Sequence, residues 1–274
     1  MREAWYKARG LWAEFSKARA GTHASSISYY SFLSLVPLLI ICISLVSMTS
    51  VSQSETTEFF CSIAPDTFDG LIQTLVGEAY AQSGLAFSLS AITLIWSASK
   101  GVRAIGVGLN AVYAEEETRG SIRVIIMSMI AAVIMMALLA AVIYLVFSGS
   151  VLRALAGFVP GMQEQDTVVS WLNSGATLAL GVLALTACYT FLPSGRRRFL
   201  AQLPGALCAA LAAGLLSFGF RIYVDYFCNY AVLYGSIATI ALLLFWMYLL
   251  FYVLLACGFI NHLLAKRAEL KRHG

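Results

Sequence analysis

The dominant pattern along the chain is a series of long apolar runs separated by short segments that hold most of the charged residues. A helix needs about 20 mostly apolar residues to cross the hydrocarbon core of a bilayer. Because lipid offers no hydrogen-bond partners to the backbone, runs of this length predict helices. The chain is therefore predicted to be an all-α polytopic membrane protein, with a bundle of six transmembrane helices within residues 25–264. The approximate spans are 27–48, 85–99, 124–147, 172–192, 199–224 and 235–264.

The segments outside these spans are also predicted to be partly helical. Residues 1–24 place aromatic side chains among basic ones at helical spacing, which favours an interfacial helix in the headgroup layer over a simple cytoplasmic extension. Residues 49–84 mix apolar side chains with carboxylates and predict short amphipathic helices on the outer surface. The second span is expected to continue as a helix out of the membrane to Tyr113. Residues 265–274 form a basic cytoplasmic tail.

The composition supports a membrane protein and orients it. Of the 274 residues, 60% are hydrophobic and 12% are charged, whereas a soluble domain carries about 25% charged residues. All of the 18 Lys and Arg residues except Arg153 and Arg221 fall on one side of the six predicted spans. Because basic residues are retained in the cytoplasm, both termini are predicted to be cytoplasmic. The first residues lack the features of a signal peptide, so the first span is expected to remain.

Two spans carry features that affect helix packing. Pro37 lies in the middle of the first span and predicts a kink, since proline cannot donate a backbone hydrogen bond. Gly205, Ala209 and Ala213 are four residues apart on the fifth span. Small residues at this spacing let helices approach closely in lipid. The fifth span is therefore expected at the centre of the bundle.

Familiar catalytic patterns do not stand out in the sequence. The three histidines share no helix turn with one another or with a cysteine, and no phosphate-binding loop or nucleophile elbow is evident. We expect no enzymatic activity, no metal and no cofactor. Cys61 and Cys228 both map to the outer side, where they either form a disulfide or remain free thiols.

Ionisable residues near the ends of the spans allow two interpretations each. Arg221 and Asp225 are four residues apart near the outer end of the fifth span, and they form either a local ion pair or one wall of an outward-facing cavity. A basic cluster on the inner side either serves topology alone or binds anionic lipid headgroups. Its members are Lys100, Arg103, Arg196, Arg197 and Arg198.

Three blocks of sequence resemble the YihY/BrkB family of bacterial inner-membrane proteins. They are Ser28 to Pro37, then Trp96 to Gly101 with Leu109 to Tyr113 and Arg119, and finally Leu203 to Ala206 with Tyr223, Tyr230, Tyr234 to Ser236, Trp246 and Asn261. The resemblance implies a multi-pass inner-membrane protein with six helices and cytoplasmic termini. The family was once labelled ribonuclease BN, a label regarded as a misassignment. Transport, envelope biogenesis and serum resistance are among the activities proposed for it. Family members often carry a glutamate just before the asparagine that corresponds to Asn261, whereas this chain has Phe259 and Ile260 there.

These observations favour transport or lipid handling for the cell envelope, along a path formed by spans one, five and six. The competing hypothesis is a structural scaffold of the envelope without a transported substrate, and a membrane ribonuclease is a remote third. Membrane lipids, in particular an anionic lipid or an envelope precursor, are the expected partners. Nucleic acid is not an expected partner, and a homo-oligomer stays open. The candidate path or gate residues are Tyr29, Tyr30, Pro37, Asn110, Arg221, Asp225, Tyr230, Tyr234 and Asn261.

Overall fold

The computed structural model of the protein describes residues 10, 13–47, 52–63, 69–81, 84–147, 166–227 and 231–273, and all regular structure in these ranges is helical. This agrees with the all-α class predicted from the apolar runs. A short helical stretch at residues 13–17 precedes the main elements. The main helices are α1 (Ala20–Ser47), α2 (Gln53–Ile63), α3 (Asp69–Tyr80), α4 (Gly84–Val112), α5 (Ser121–Phe147), α6 (Asp166–Phe191), α7 (Phe199–Phe227) and α8 (Ala231–His273).

Two of the described helices are long and apolar enough to cross a membrane, judged by length and composition. The segments are Phe199–Tyr223 in α7 and Ile240–Leu270 in α8. Shorter apolar segments lie in α5 and α6, at Ser121–Met135 and Leu178–Phe191. Helices α1 and α4 have 28 and 29 residues, or roughly 42 Å at 1.5 Å per residue. Each predicted span overlaps one of these helices, while the count of six crossings stays a prediction.

The helices pack around a core in which α1, α4, α6 and α8 meet. Ile27, Leu109, Tyr189 and Leu255 are fully buried members of this core. The most extensive helix contact is between α1 and α4, and α7 packs on α6 and α8. The segment after α4 lies against the segment that links α6 to α7.

The start of the described chain packs on α8. The Phe15 ring lies 5.3 Å from the Phe259 ring and 5.9 Å from the Tyr252 ring, measured between centroids. Glu14 accepts a hydrogen bond from Lys266 Nζ at 3.0 Å. The part of the predicted interfacial helix that the structure describes therefore contacts protein through its aromatic side.

Helices α2 and α3 form a small separate unit beside the end of α1. Ile43 of α1 packs with Ile72 and Val76 of α3. Thr56 Oγ1 lies 2.7 Å from the hydroxyl of Tyr80 and links α2 to α3. Both helices fall within residues 49–84, where short amphipathic helices are predicted from the sequence.

Candidate functional site

Asn110 ties together the loop after α4 and the loop between α6 and α7. Its Nδ2 donates to Ser194 Oγ at 2.9 Å and to Glu117 Oε2 at 3.1 Å. Its Oδ1 accepts from the Ser194 backbone N–H at 2.8 Å. Asn110 is only 5% exposed, and a buried amide of this kind is stabilising only when its donors and acceptor are satisfied. We call the two loops and the side chains that join them the loop cluster.

Glu115 forms the second link of the loop cluster. Its carboxylate accepts hydrogen bonds from the Gly195 backbone N–H at 2.6 Å and from Arg197 Nη2 at 2.5 Å. The Arg197 guanidinium also stacks on the Tyr113 ring, 3.6 Å from its centroid. A Cβ atom at position 195 would overlap the Glu115 carboxylate. Glycine is therefore required there for the loops to approach this closely.

Glu117 and Arg119 form the third link, a bidentate ion pair. Arg119 Nε and Nη2 donate to the two Glu117 oxygens at 2.7 and 2.9 Å. Arg119 Nη2 also donates to the Leu192 carbonyl at 2.9 Å. The hydrogen bond from Arg119 lowers the pKa of Glu117 from an ordinary value of 4.5 to about 2. The carboxylate is therefore charged throughout the physiological range.

This pKa shift predicts how stability changes in acid. A carboxylate with a lowered pKa stabilises the folded state above about pH 4.5, and that contribution is lost as the pH falls towards about 2. Glu117→Gln should therefore be less stable than wild type near pH 7, with a difference that shrinks between about pH 5 and about pH 3. Thermal unfolding in detergent across this range measures the difference. Glu116→Gln, at an exposed neighbouring position, is the control, and a Glu117→Gln deficit that did not change with pH would contradict the assignment.

The loop cluster continues into α7 and α8 through Tyr113. The Tyr113 hydroxyl donates to Gln202 Oε1 at 3.0 Å, and burial raises the pKa of this tyrosine to about 12. Asn261 of α8 donates through Nδ2 to the Gln202 carbonyl at 3.1 Å and accepts from the Gly205 N–H at 2.8 Å. Pro204 lies between Gln202 and Gly205 and has no N–H to donate. Asn261 thus bonds to the backbone of α7 on both sides of its proline.

The loop cluster begins with a defined helix cap. Ala114 has φ of 54°, and the N–H groups of Ala114 and Glu115 donate to the carbonyls of Ala111 and Asn110 at 3.3 and 2.9 Å. These are the two hydrogen bonds of a Schellman motif, in which the left-handed residue is usually glycine. The motif directs Glu115 away from the axis of α4 and towards Gly195.

The Schellman motif makes a stabilising substitution predictable. An alanine at positive φ costs about 1–2 kcal/mol that a glycine does not. Ala114→Gly should raise the free energy of unfolding by about 1 kcal/mol after the greater entropy of unfolded glycine is subtracted. Denaturation of the purified variant in mixed micelles measures the change. Ala111→Gly, inside α4, is the matched control and should destabilise the protein.

A second feature is an apolar cavity of about 240 Å³ between α4, α5 and α6. Arg103 and the Glu117–Arg119 pair line it, together with apolar side chains from all three helices. We call it the lateral cavity because several of its lining side chains are also exposed at the protein surface. Those side chains are Val107, Met127, Ile130, Ile134 and Phe191.

The five residues of the predicted basic cluster occupy different environments. Lys100 Nζ lies 3.6 Å above the Trp96 ring and 5.8 Å from the centroid of the Tyr30 ring. Arg103 lines the lateral cavity, and Arg197 belongs to the loop cluster. Arg196 and Arg198 are exposed beside it. The structure therefore does not gather the five charges into one patch.

The predicted path residues are also divided between sites. Tyr29 and Tyr30 are adjacent on α1, with ring centroids 5.4 Å apart, and Pro37 is buried inside the same helix. Asn110 and Asn261 belong to the loop cluster, where both amides bond to protein groups. Their role in lining a path stays a prediction.

The outer candidate residues lie largely beyond what the structure describes. Arg221 is exposed near the end of α7. Asp225 and Tyr234 lie in helices, but their side chains are outside the described set, and Tyr230 and Cys228 are outside the described residues altogether. The Arg221 gate and the pairing of Cys61 with Cys228 therefore stay predictions. Among the described residues, no group of three His, Cys, Asp or Glu side chains is placed to hold a metal ion.

The helical fold, the two long apolar segments and the hydrophobic composition define a helical membrane protein. The model of the family described as "Virulence factor BrkB" matches residues 11–274, so the chain belongs to the BrkB family. The resemblance expected from the sequence motifs is thereby confirmed.

Relatives of the chain carry names of two kinds. The ribonuclease-like protein YfkH of Bacillus subtilis is 28% identical over 95% of both chains. A UPF0761 membrane protein of Pseudoalteromonas translucida is 28% identical over 85% of this chain and 77% of its own. Another UPF0761 membrane protein, from Azoarcus, is 29% identical over 96% of this chain and 64% of its own. No solved structure matches the chain.

Proposed function

We propose that this BrkB-family protein is a lipid-handling protein of the bacterial inner membrane, with six spans and cytoplasmic termini. The observation that carries the proposal is the lateral cavity, which is apolar along most of its wall and opens among helices predicted to contact lipid. A cavity of this form fits an acyl chain that enters sideways from the bilayer. In this activity the protein binds and displaces lipid and makes or breaks no covalent bond.

The energetics explain why a chain would occupy the cavity. Transfer of an acyl chain from the bilayer to the cavity gains little hydrophobic free energy, since lipid tails are as apolar as the cavity wall. An unfilled cavity, however, leaves the atoms that line it without dispersion contacts. A chain of matching shape restores those contacts. Shape and the charged groups at the cavity, rather than hydrophobicity, therefore decide which lipid is held.

A cavity-filling variant tests the proposal. Ala187 lines the cavity on α6, and Ala187→Phe should exclude an acyl chain. We expect the amount of lipid retained by the purified protein to fall about tenfold, since a chain forced into the filled site would meet an overpacking cost of at least 1 kcal/mol. Native mass spectrometry of protein released from nanodiscs of phosphatidylethanolamine and phosphatidylglycerol counts the retained lipids.

Two further variants keep this experiment decisive. Ala131→Leu fills the cavity from α5 with a smaller side chain, and it should act in the same direction if Ala187→Phe folds poorly. Ala201→Phe places the same phenylalanine at an exposed position of α7 and should leave retention unchanged. Equal lipid retention by wild type and both cavity variants would overturn the proposal.

A further inference from the structure

One face of α4 carries two cations in an otherwise apolar setting. Trp96, Lys100, Arg103 and Val107 are spaced by four, three and four residues, so they lie along the same side of the helix. Trp96 is 55% exposed and Val107 is 47% exposed. Arg103 is exposed as well, and Lys100 is half-buried against the Trp96 ring. We call these four residues the α4 cationic face.

The α4 cationic face adjoins the apolar surface of α5. Arg103 is nine residues before the end of α4 at Val112, a distance of roughly 14 Å along the helix. It lines the same cavity as Ile130 and Ile134 of α5. The exposed apolar surface of α5 already begins at Ile122, which is 75% exposed. Arg103 therefore shares a cavity with the third and fourth turns of α5, whose outer surface is apolar.

Basic side chains at the inner end of a span attract anionic lipid headgroups, an effect worth about 1 kcal/mol for each Lys or Arg near the membrane surface. Arg103 makes no hydrogen bond or ion pair with the residues that the structure describes. The carboxylate that shares its cavity, Glu117, accepts hydrogen bonds from Nε and Nη2 of Arg119. Among the described residues, the Lys100 ammonium lies over the rings of Trp96 and Tyr30 and forms no ion pair. The pair of cations is thus left with a net positive charge beside an apolar cavity.

We propose that Lys100 and Arg103 bind the phosphodiester of an anionic phospholipid whose acyl chain occupies the lateral cavity. The inference rests on the proposed function and names its substrate class. The guanidinium fork of Arg103 matches two phosphate oxygens, and Lys100 adds a point charge one turn away. The deeper part of the cavity, lined by Met135, Leu138 and Ala184, receives the chain. The phosphate lies beside Arg103, about two and a half turns before the end of α4.

The net charge of Lys100 and Arg103 determines which lipid headgroup the site prefers. Lys100 and Arg103 together carry a charge of +2, while the Glu117–Arg119 pair beside them is neutral. A phosphatidylglycerol headgroup has a charge of −1, whereas phosphatidylethanolamine is zwitterionic with an ammonium group of its own. The site should therefore select phosphatidylglycerol, because its phosphate brings no competing cation to the two side chains.

Trp96 provides a local reporter of lipid at this face. In a chain whose other four tryptophans are phenylalanine, lipids with brominated acyl chains quench Trp96 when they bind along the α4 cationic face. Vesicles that contain brominated phosphatidylglycerol or brominated phosphatidylethanolamine with identical chains then give a relative affinity. We expect about a fivefold preference for phosphatidylglycerol. Equal quenching by the two lipids in the otherwise wild-type chain would overturn the inference.

Matched variants assign the preference to particular charges. Arg103→Gln should reduce the preference to about twofold or less, and Arg103→Gln with Lys100→Gln should abolish it. Arg267→Gln removes the same charge from the exposed end of α8 and should retain the wild-type preference. Arg103→Lys should keep most of it. A preference unchanged in the double variant, or lost equally in Arg267→Gln, would contradict the assignment.

The outcomes separate this inference from the proposed function and from a soluble ligand. If Ala187→Phe loses retained lipid but wild type shows no headgroup preference, lipid handling stands and the inference fails. If Ala187→Phe retains lipid normally, the proposed function itself fails. Glycerol phosphate added in excess should not relieve the quenching. Relief would show that the site takes a soluble phosphate and would overturn the lipid assignment.

Discussion

Replacing Asn261 with leucine should lower the free energy of unfolding by about 2 kcal/mol. The substitution keeps a γ-branched side chain but removes the acceptor of the Gly205 N–H and the donor to the Gln202 carbonyl. Asn261 is 1% exposed, so water cannot replace either bond at little cost. Each buried hydrogen bond of this kind contributes about 1 kcal/mol. Reversible unfolding in mixed micelles, followed by circular dichroism, measures the loss.

Gly205 provides an independent check on the same contact. A Cβ atom at position 205 would overlap the Asn261 amide, so Gly205→Ala should destabilise the protein by displacing that side chain. The double variant Gly205→Ala with Asn261→Ala should then lose clearly less than the sum of the two single losses. Ile260→Ala, at an exposed neighbour of Asn261, is the control. Additive losses within about 0.5 kcal/mol would show that the two residues do not act as one contact.

The second large effect is expected at Glu115. Glu115→Gln should cost about 2–3 kcal/mol, because it leaves the Arg197 guanidinium without its anionic partner in a site where that side chain is only 11% exposed. It also weakens the bond to the Gly195 N–H, which holds the loop between α6 and α7. The loss should be seen both in unfolding and in faster proteolysis of that loop.

A double-mutant cycle isolates this pair. Arg197→Met alone should be less damaging than Glu115→Gln. Methionine can still pack on the Tyr113 ring, and the Glu115 carboxylate that remains is 27% exposed and keeps its hydrogen bond from the Gly195 N–H. The double variant should recover at least 1 kcal/mol of the summed losses. Arg198→Met, one residue along and exposed, controls for charge and position. A coupling below about 0.3 kcal/mol would show that the pair is not an energetic link between the loops.

The helices of this protein are largely predictable because apolar runs report directly on burial in lipid or protein. The sequence predicts that α4 continues beyond its span as far as Tyr113, and the structure ends that helix at Val112. Helix α1, by contrast, begins at Ala20, seven residues before the start of the predicted span at residue 27. Polar residues such as Thr22 and His23 open this helix, and composition alone does not separate them from a loop.

The loop cluster and its continuation into α7 and α8 were harder to predict, because each contact joins distant parts of the chain. Glu115 and Gly195 are 80 residues apart, and Gly205 and Asn261 are 56 apart. Periodicity places a residue on a face of its own helix but does not name its partner on another. The Glu115, Glu117 and Arg119 charges are visible in the sequence only as a solvated loop.

The lateral cavity also cannot be predicted from the sequence of any one helix. Its wall includes small side chains of α5 and α6, among them Ala131, Ala184 and Ala187. The available signal is the pair of small residues three apart on α6, beside Cys188. The same spacing predicts close helix packing as readily as a cavity. Only the assembled helices distinguish the two.

Photocrosslinking with phosphatidylglycerol that carries a diazirine in its acyl chain tests the central claim most directly. The full-length protein is irradiated in membranes, and the labelled residues are mapped by mass spectrometry. Occupation of the lateral cavity predicts labels concentrated on Ala131, Ile134, Leu138 and Ala184, with weaker labelling of these residues in Arg103→Gln. Labels spread evenly over exposed apolar faces, including Leu207, Leu211 and Leu215 of α7, would show instead that the protein contacts only bulk lipid.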